Sequence, residues 1–302
     1  MNLDYLTKHP ELFPSVVGIT HTQFQSLLYR FSFALRTREH LRAYGKKRIR
    51  KPGGGRKPTF RTDSAKLFFI LFYYKVYPTF RLAQAIFGLD KRNILFWKVF
   101  LEGVLCAALG RQLVLPKRRV NTMSGLLEIC PALSWAIVDA TERPIRRPKD
   151  PQSQTHFYSG KKKRHTVKNQ IVVHPKTKRI LAVSPTVEGK RHDKKLLEDD
   201  AILSWVPPNA TILGDSGYQG TGSIAPWARF VTPPKKGRGA QRSEAEKETN
   251  RALASVRVGV EHTIAYLKHF GILSQVFRGH VMVAHQPFVN IACLYNFTRD
   301  CR

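Results

Sequence analysis

From about residue 133 onward the chain stops reading as helix and begins to read as short apolar strands separated by turns, and this change of texture limits the folds open to it. LSWAIVDATERPI is a strand candidate, and KNQIVVHPKTKRILAVSPTVEG reads as two strands with a turn at His174 to Lys178. HDKKLLEDDAILSW reads as helix, NATILGDSGYQG as a short apolar strand closed by a glycine turn, and ARFVTPP as another short strand. SEAEKETNRALASVRVGVEHTIAYLKHFGIL is a long helix with acids in its first turn, where the helix dipole favours them. The tail, 275–302, reads as a further helix packed back on the core. Three early strands followed by alternation of strand and helix specify an α/β chain whose mixed sheet carries helices on its faces.

Before residue 133 the chain reads as all-α. THTQFQSLLYRFSFAL sets Phe24, Leu27, Leu28 and Phe31 at helical spacing, with Thr20 or Thr22 as the cap, so 1–37 forms an N-terminal helical segment. Residues 38–62 are packed with Lys and Arg and broken by Pro52, Gly53, Gly54, Gly55 and Pro58, which makes them a linker, a solvated tail or a phosphate-tracking arm. Residues 63–130 begin with the helix DSAKLFFILFYYKVYP and continue as helix, tight turn at Gly88, and a second helix capped by Asp90. Ile94, six residues after Gly88, suits the core of a helix-turn-helix, although Gln84 is larger than the residue usual at its position. Lys91, Arg92 and Asn93 open the second helix and are residue types suited to phosphates and base edges. Residues 131–302 then form the strand-containing domain.

Charge narrows the partner. Fifty-one Lys and Arg against 21 Asp and Glu leave a formal net charge of +30, and self-repulsion of that size is relieved by a polyanion, nucleic acid first among them. The four cysteines, Cys106, Cys130, Cys293 and Cys301, show neither zinc-type spacing nor a disulfide framework. The chain has no signal-peptide pattern and no run of about 18 apolar residues, so no membrane partner is expected and the chain reads as intracellular.

In a chain so poor in acids, two acids stand out by position. Asp139 follows Ala136, Ile137 and Val138, and Asp215 follows Ile212, Leu213 and Gly214, which puts each at the end of a short apolar strand, where sites form in open sheets. A carboxylate there is costly without compensation, and a metal ion supplies it; a turn-capping role is the alternative, most attractive for Asp215. In the long helix, Leu253, Val256, Val260, Ile264 and Leu267 form an apolar stripe, with Arg257, Glu261 and Lys268 together beside it. Two strand-end acids and one helix-edge acid make an all-oxygen set suited to Mg²⁺ or Mn²⁺, and two such ions about 3.5–4 Å apart suit phosphodiester chemistry. Asp193, after His192, is either an accessory ligand or a helix cap, and Lys161, Lys162, Lys163 and Arg164 are either phosphate contacts or a solvated loop.

These motifs together resemble a known family. The spacing Arg257, Glu261, Lys268 is similar to the Arg-Glu-Lys signature of bacterial insertion-sequence transposases, and RVGVEHTIAYLKHFGIL to the third acid block of insertion-sequence family five and the Harbinger-like DDE endonucleases. WAIVDATERPI and ILGDSGYQG resemble the first and second blocks, EGKRHDKKLL a further family element, and the helical front end that of the same family. The match departs at Ala254, where the fuller signature carries Tyr. The resemblance implies an RNase H-like sheet flanked by helices, preceded by a helix-turn-helix region. It also implies catalytic acids Asp139, Asp215 and Glu261 holding two Mg²⁺, and His192, Asp193, Arg257 and Lys268 as accessory residues. The implied activity is cleavage at the terminal inverted repeats of double-stranded DNA, joining to target DNA, and action as a dimer or larger assembly. A non-catalytic DNA-binding descendant, or a nuclease that cuts without joining, are the alternatives.

Overall fold

The computed structural model describes residues 3–44, 58–110, 135–200, 206–223, 225–233 and 243–301. They fall into two units: Met1–Gly110 with His269–Gln275 and Gln286–Arg302, and Arg111–Lys268 with Val276–His285. The glycine-rich part of the basic arm, 45–57, and residues 111–134, which include Cys130, lie outside the described residues.

The first unit opens with helices α1 (Leu3–Lys8), α2 (Phe13–Val17) and α3 (His21–Tyr44). Thr20 settles the cap of α3: its Oγ1 accepts from Gln23 N at 3.2 Å while Gln23 Oε1 accepts from Thr20 N at 3.0 Å, a reciprocal capping box. Phe24, Leu27 and Phe31 are buried as their spacing predicts, and α3 runs past residue 37 into the arm's first residues. Helix α4 (Asp63–Val76) ends on Tyr77 in a left-handed conformation, φ 50°, directly before Pro78, a residue that resists helix in its predecessor. Helix α5 (Phe80–Phe87), the turn at Gly88 (φ 63°) and α6 (Lys91–Leu109) follow as expected. Asp90 Oδ1 accepts from Asn93 N at 2.9 Å, and Ile94 is fully buried. Phe87 anchors the pair in an aromatic cluster with Phe60, Phe69 and Phe72.

The second unit holds the sheet. Its strands are β1 (Trp135–Pro144), β2 (Tyr158–Ser159), β3 (Arg164–Val173), β4 (Ile180–Val183), β5 (Val187–Glu188), β6 (Thr211–Leu213) and β7 (Arg229–Val231). The order is β2-β3-β1-β6-β7, with β4 and β5 also paired to β3. β1 and β3 are antiparallel over eight register pairs from Ile137↔Val173 to Pro144↔Thr166, while β1/β6 and β6/β7 are parallel, so the sheet is mixed. Helix α7 (Pro151–Phe157), capped by Asp150, was not predicted, nor were the two-residue strands β2 and β5. Helix α8 (Asp193–Asp199) lies between β5 and β6, and the long α9 (Glu244–Lys268) follows β7. Alternation along β1 sends Ala136 and Val138 into a core with Val172, Leu197, Ile212 and Tyr218. Ile137, Asp139, Thr141 and Arg143 take the other face.

The chain then returns to the first unit through α10 (Gly271–Ser274) and α11 (His285–Asp300). The last helix is buried on nearly every side, and its Asn290 joins a polar network inside the helical unit. Asn290 Nδ2 donates to Tyr74 Oη (3.0 Å), Tyr74 Oη donates to Glu102 Oε1 (2.9 Å), and Lys98 Nζ donates to Glu102 Oε2 (2.8 Å). Each of these groups is buried, so the network satisfies polar atoms that would otherwise cost free energy. No described helix is long and apolar enough to cross a membrane.

Candidate active site

The parallel pairing of β1 with β6 stops at Ile137↔Leu213. Asp139 lies two residues beyond Ile137 and Asp215 two residues beyond Leu213, so one register brings both acids to the same level of the sheet. Asp139 is therefore not at the end of its strand, as its apolar neighbours suggested. β1 continues to Pro144 on its pairing with β3, and what ends at that level is the partner β6. Asp215 follows its strand as expected and also caps a turn: its Oδ1 accepts from Gly217 N at 2.7 Å at the head of a 3₁₀ turn, Ser216–Tyr218.

The acids feel one another. Burial pushes the Asp139 carboxyl up to about 6, and the negative charges of Asp215 and Asp193 add to the rise. The Ala140 N–H, 2.7 Å from Oδ1, and the Arg257 guanidinium oppose it. Tyr218, fully buried, donates to Gln170 Oε1 at 3.0 Å. Its phenol is held well above its ordinary value by burial, then by Asp193, Asp139 and Asp215. Asp193 is the first residue of α8, and His192 occupies the cap position without a side-chain cap bond. The helix-cap reading of Asp193 is thus replaced by an ion pair: Lys168 Nζ donates to Asp193 Oδ1 at 2.7 Å.

Helix α9 supplies the far wall. Val260 and Leu267 of its apolar stripe are buried, Arg257 is half-buried, and Glu261 and Lys268 are exposed. Glu261 and Lys268 line a cavity of about 340 Å³ together with Asp139, Glu142, Asp193, Lys161, Lys162 and Lys168. Partial burial, and then the neighbouring Lys162 ammonium, lower the pKa of Lys268. Asp215, His192, Arg257, Lys163 and Arg164 are not among the described residues lining it, and the last two are exposed. The Arg257 Nε is buried with no hydrogen-bond partner among the described residues.

The donor chemistry is all oxygen, which fits a hard divalent ion. Among the described residues, however, no three His, Cys, Asp or Glu side chains stand close enough to hold one ion. Asp139, Asp193 and Asp215 share one electrostatic neighbourhood and Glu261 faces the cavity that Asp139 lines, without a closed three-ligand cage. In the helical unit Lys91, Arg92 and Asn93 are exposed at the start of α6, but the Asn93 side chain is engaged, its Nδ2 donating to Asp90 Oδ2 at 2.6 Å.

Sequence reasoning missed three residues. Lys168 is buried in the middle of β3, and Glu142 Oε2 accepts from Thr166 Oγ1 at 2.7 Å on the cavity wall. Arg143, 2% exposed, has its pKa lowered to about 9 by burial and donates to Asn169 Oδ1 (2.6 Å) and the Ala284 carbonyl (3.2 Å). The available signal for Lys168 was the polar stretch Arg164 to Gln170, broken only by Val167, that leads into the apolar run Ile171, Val172 and Val173.

Residues 138–296 match the family described as DDE superfamily endonuclease, a range that takes in Asp139, Asp215 and Glu261. The chain belongs to that family. It is 31% identical over 255 residues to the probable transposase for insertion sequence element IS702 of Microchaete diplosiphon, covering 83% of this chain and 85% of that protein. It is 28% identical over 186 residues to the putative transposase for insertion sequence element IS112 of Streptomyces albus G, covering 59% and 66%. The transposase resemblance carried by the three acid blocks is therefore the right one. Within the sheet unit of this family member, the parallel pairing of β1 with β6 is what brings Asp139 and Asp215 level.

Proposed function

We propose that this DDE endonuclease is an insertion-sequence transposase that binds the terminal inverted repeats of its element, cleaves the DNA and joins the ends to target DNA. The observation that carries the reading is the shared level of Asp139 and Asp215 beyond the Ile137↔Leu213 pair. In this reading the sheet unit is an RNase H-like catalytic domain, and Asp139, Asp215 and Glu261 hold two Mg²⁺, with Mn²⁺ able to replace them. Bound ions of this kind supply the charge that activates an attacking water or 3′-hydroxyl and stabilises the leaving oxygen. In this reading α9 brings Glu261, which is exposed on the cavity wall, to the ligand set when ions and DNA are present.

The protein's own side chains then divide the work. Lys161, Lys162 and Lys268 hold the phosphate backbone at the cavity mouth, with Lys163 and Arg164 extending that basic run. Arg257 offsets the negative charge at Asp139, and His192 stays accessory. In the helical unit α5, its turn and α6 act as a helix-turn-helix, with Lys91 and Arg92 on phosphates. Asn93 keeps one amide N–H on Asp90 and has its second N–H and its Oδ1 for a base edge. The arm, 38–62, tracks the backbone. The protein works as a dimer or larger assembly on double-stranded DNA in the bacterial cytoplasm, at the nucleoid.

The test is incubation of the full chain with labelled element ends and Mg²⁺ or Mn²⁺. The parent cuts and joins, and Asp139→Asn, Asp215→Asn and Glu261→Gln each bind the ends without cutting. Variants that cut and join like the parent overturn the assignment; cutting without joining makes the protein a nuclease.

A further inference from the structure

Lys168 has no place in the reading above, yet it is the most tightly held lysine of the sheet unit's cavity. It sits in β3, opposite Glu142 of β1 and Val187 of β5, and is 7% exposed. Its ammonium donates to the Arg191 carbonyl oxygen at 2.6 Å and to Asp193 Oδ1 at 2.7 Å. A lysine rarely gives up its hydration unless its donors are satisfied in a fixed geometry. Here both acceptors belong to the turn that starts α8.

That turn is aimed. With Oδ1 of Asp193 engaged by Lys168, Oδ2 lies 3.1 Å from the point where a side chain would begin at Gly217, and Asp215 Oδ1 lies 2.9 Å from the same point. Asp215 Oδ1 is held there by the Gly217 N–H, and a Cβ at residue 217 would crowd both carboxylates. Carboxylate oxygens beside one another are the hard donors that divalent cations take. Asp193 also lines the cavity with Asp139 and Glu261.

We infer that Lys168 is a positioning residue, which holds Asp193 so that its second oxygen faces Asp215 across Gly217 and adds a fourth acid to the ground on which divalent cations bind. This rests on the reading of Asp139 and Asp215 as cation ligands. It also makes a prediction opposite in sign to simple electrostatics. Removing a nearby positive charge should tighten the binding of a divalent cation. If Lys168 positions Asp193, removing it should loosen binding instead, by roughly 10–100-fold, the usual cost of losing a partner that orients a metal-site group.

The experiment is Mn²⁺ titration of the full chain without DNA, with free Mn²⁺ read by electron paramagnetic resonance and folding checked by circular dichroism. Lys168→Met, which keeps the length of the side chain, and Asp193→Asn are each expected to weaken Mn²⁺ binding by about 10–100-fold. The double variant is expected to be no weaker than either single one, because both act through one interaction. Lys168→Arg, which keeps the charge and the donors, recovers part of the affinity. Lys168→Met that binds Mn²⁺ as tightly as the parent, or more tightly, overturns the inference. Asp139→Asn separates the two levels: if it loses Mn²⁺ binding while Lys168→Met does not, only the role of Lys168 falls. If it leaves Mn²⁺ binding unchanged, the cation site itself falls.

Discussion

Asp139 should destabilise the metal-free protein at neutral pH, and Asp139→Asn should relieve it. In the folded chain its carboxyl titrates at about 6 rather than the ordinary 3.8, chiefly because it is buried and secondarily because Asp215 and Asp193 are close. A group raised in the folded state favours folding in its protonated form. Its contribution is therefore fully present below 3.8 and is lost as pH rises through 6. A difference of roughly two units at about 1.4 kcal/mol each puts the loss at about 3 kcal/mol, as an upper figure, once Asp139 is ionised. Asparagine keeps an acceptor for the Ala140 N–H and cannot ionise. Urea unfolding with excess chelator, followed by tryptophan fluorescence, should show parent and variant nearly equal at pH 4. By pH 8 the variant should be more stable by about 2–3 kcal/mol. Saturating Mg²⁺ should then stabilise the parent and narrow the gap, because the ion binds the native carboxylate. A variant no more stable than the parent at pH 8 in chelator, or an advantage independent of pH, would refute the account of Asp139.

Three further outcomes follow from the helical unit. Glu102→Ala leaves Lys98 buried without its carboxylate and should cost about 3–5 kcal/mol in thermal or denaturant unfolding, whereas replacing both residues by apolar ones should cost much less. Gly18→Ala should cost at least about 1–2 kcal/mol, since Gly18 has φ +84° and a Cβ there would lie 2.5 Å from the Phe270 ring. Replacing Lys91 and Arg92 together by Ala should weaken binding to the element's ends and reduce the dependence of log affinity on log salt by about two, measured by fluorescence anisotropy; an unchanged slope removes α6 from the DNA contacts.

The strands were legible where burial on one or both faces imposes apolar residues: β1, β3, β4, β6 and β7 all lie where the apolar runs put them. β2 and β5 have two residues each, too few for any pattern, and α7 is made of PQSQTHF, whose helix rests on the Asp150 cap rather than on an apolar face. The site was legible in part for the same reason. Asp139 and Asp215 interrupt apolar runs, and an acid there is conspicuous. Their common level was not legible, because it depends on the register of β1 with β6, which no local pattern encodes. Lys168 and Arg143 escaped because a charged residue inside a strand reads as a solvent-facing position unless its partners are known, and those partners, Asp193 and Asn169, lie 25 and 26 residues away in sequence.

The most direct test of the central claim, that Asp139, Asp215 and Glu261 surround one cation centre, is to replace Mg²⁺ by Fe²⁺ in the full chain bound to element ends. Ascorbate and peroxide are then added, and the cuts that the resulting radicals make in the polypeptide are mapped by mass spectrometry. Cuts are expected near Asp139, near Asp215 and near Glu261, and all of them should be suppressed by excess Mg²⁺ and by Asp139→Asn. Cuts clustered elsewhere, or absent from the α9 segment around Glu261 while present at both aspartates, would contradict the three-acid centre.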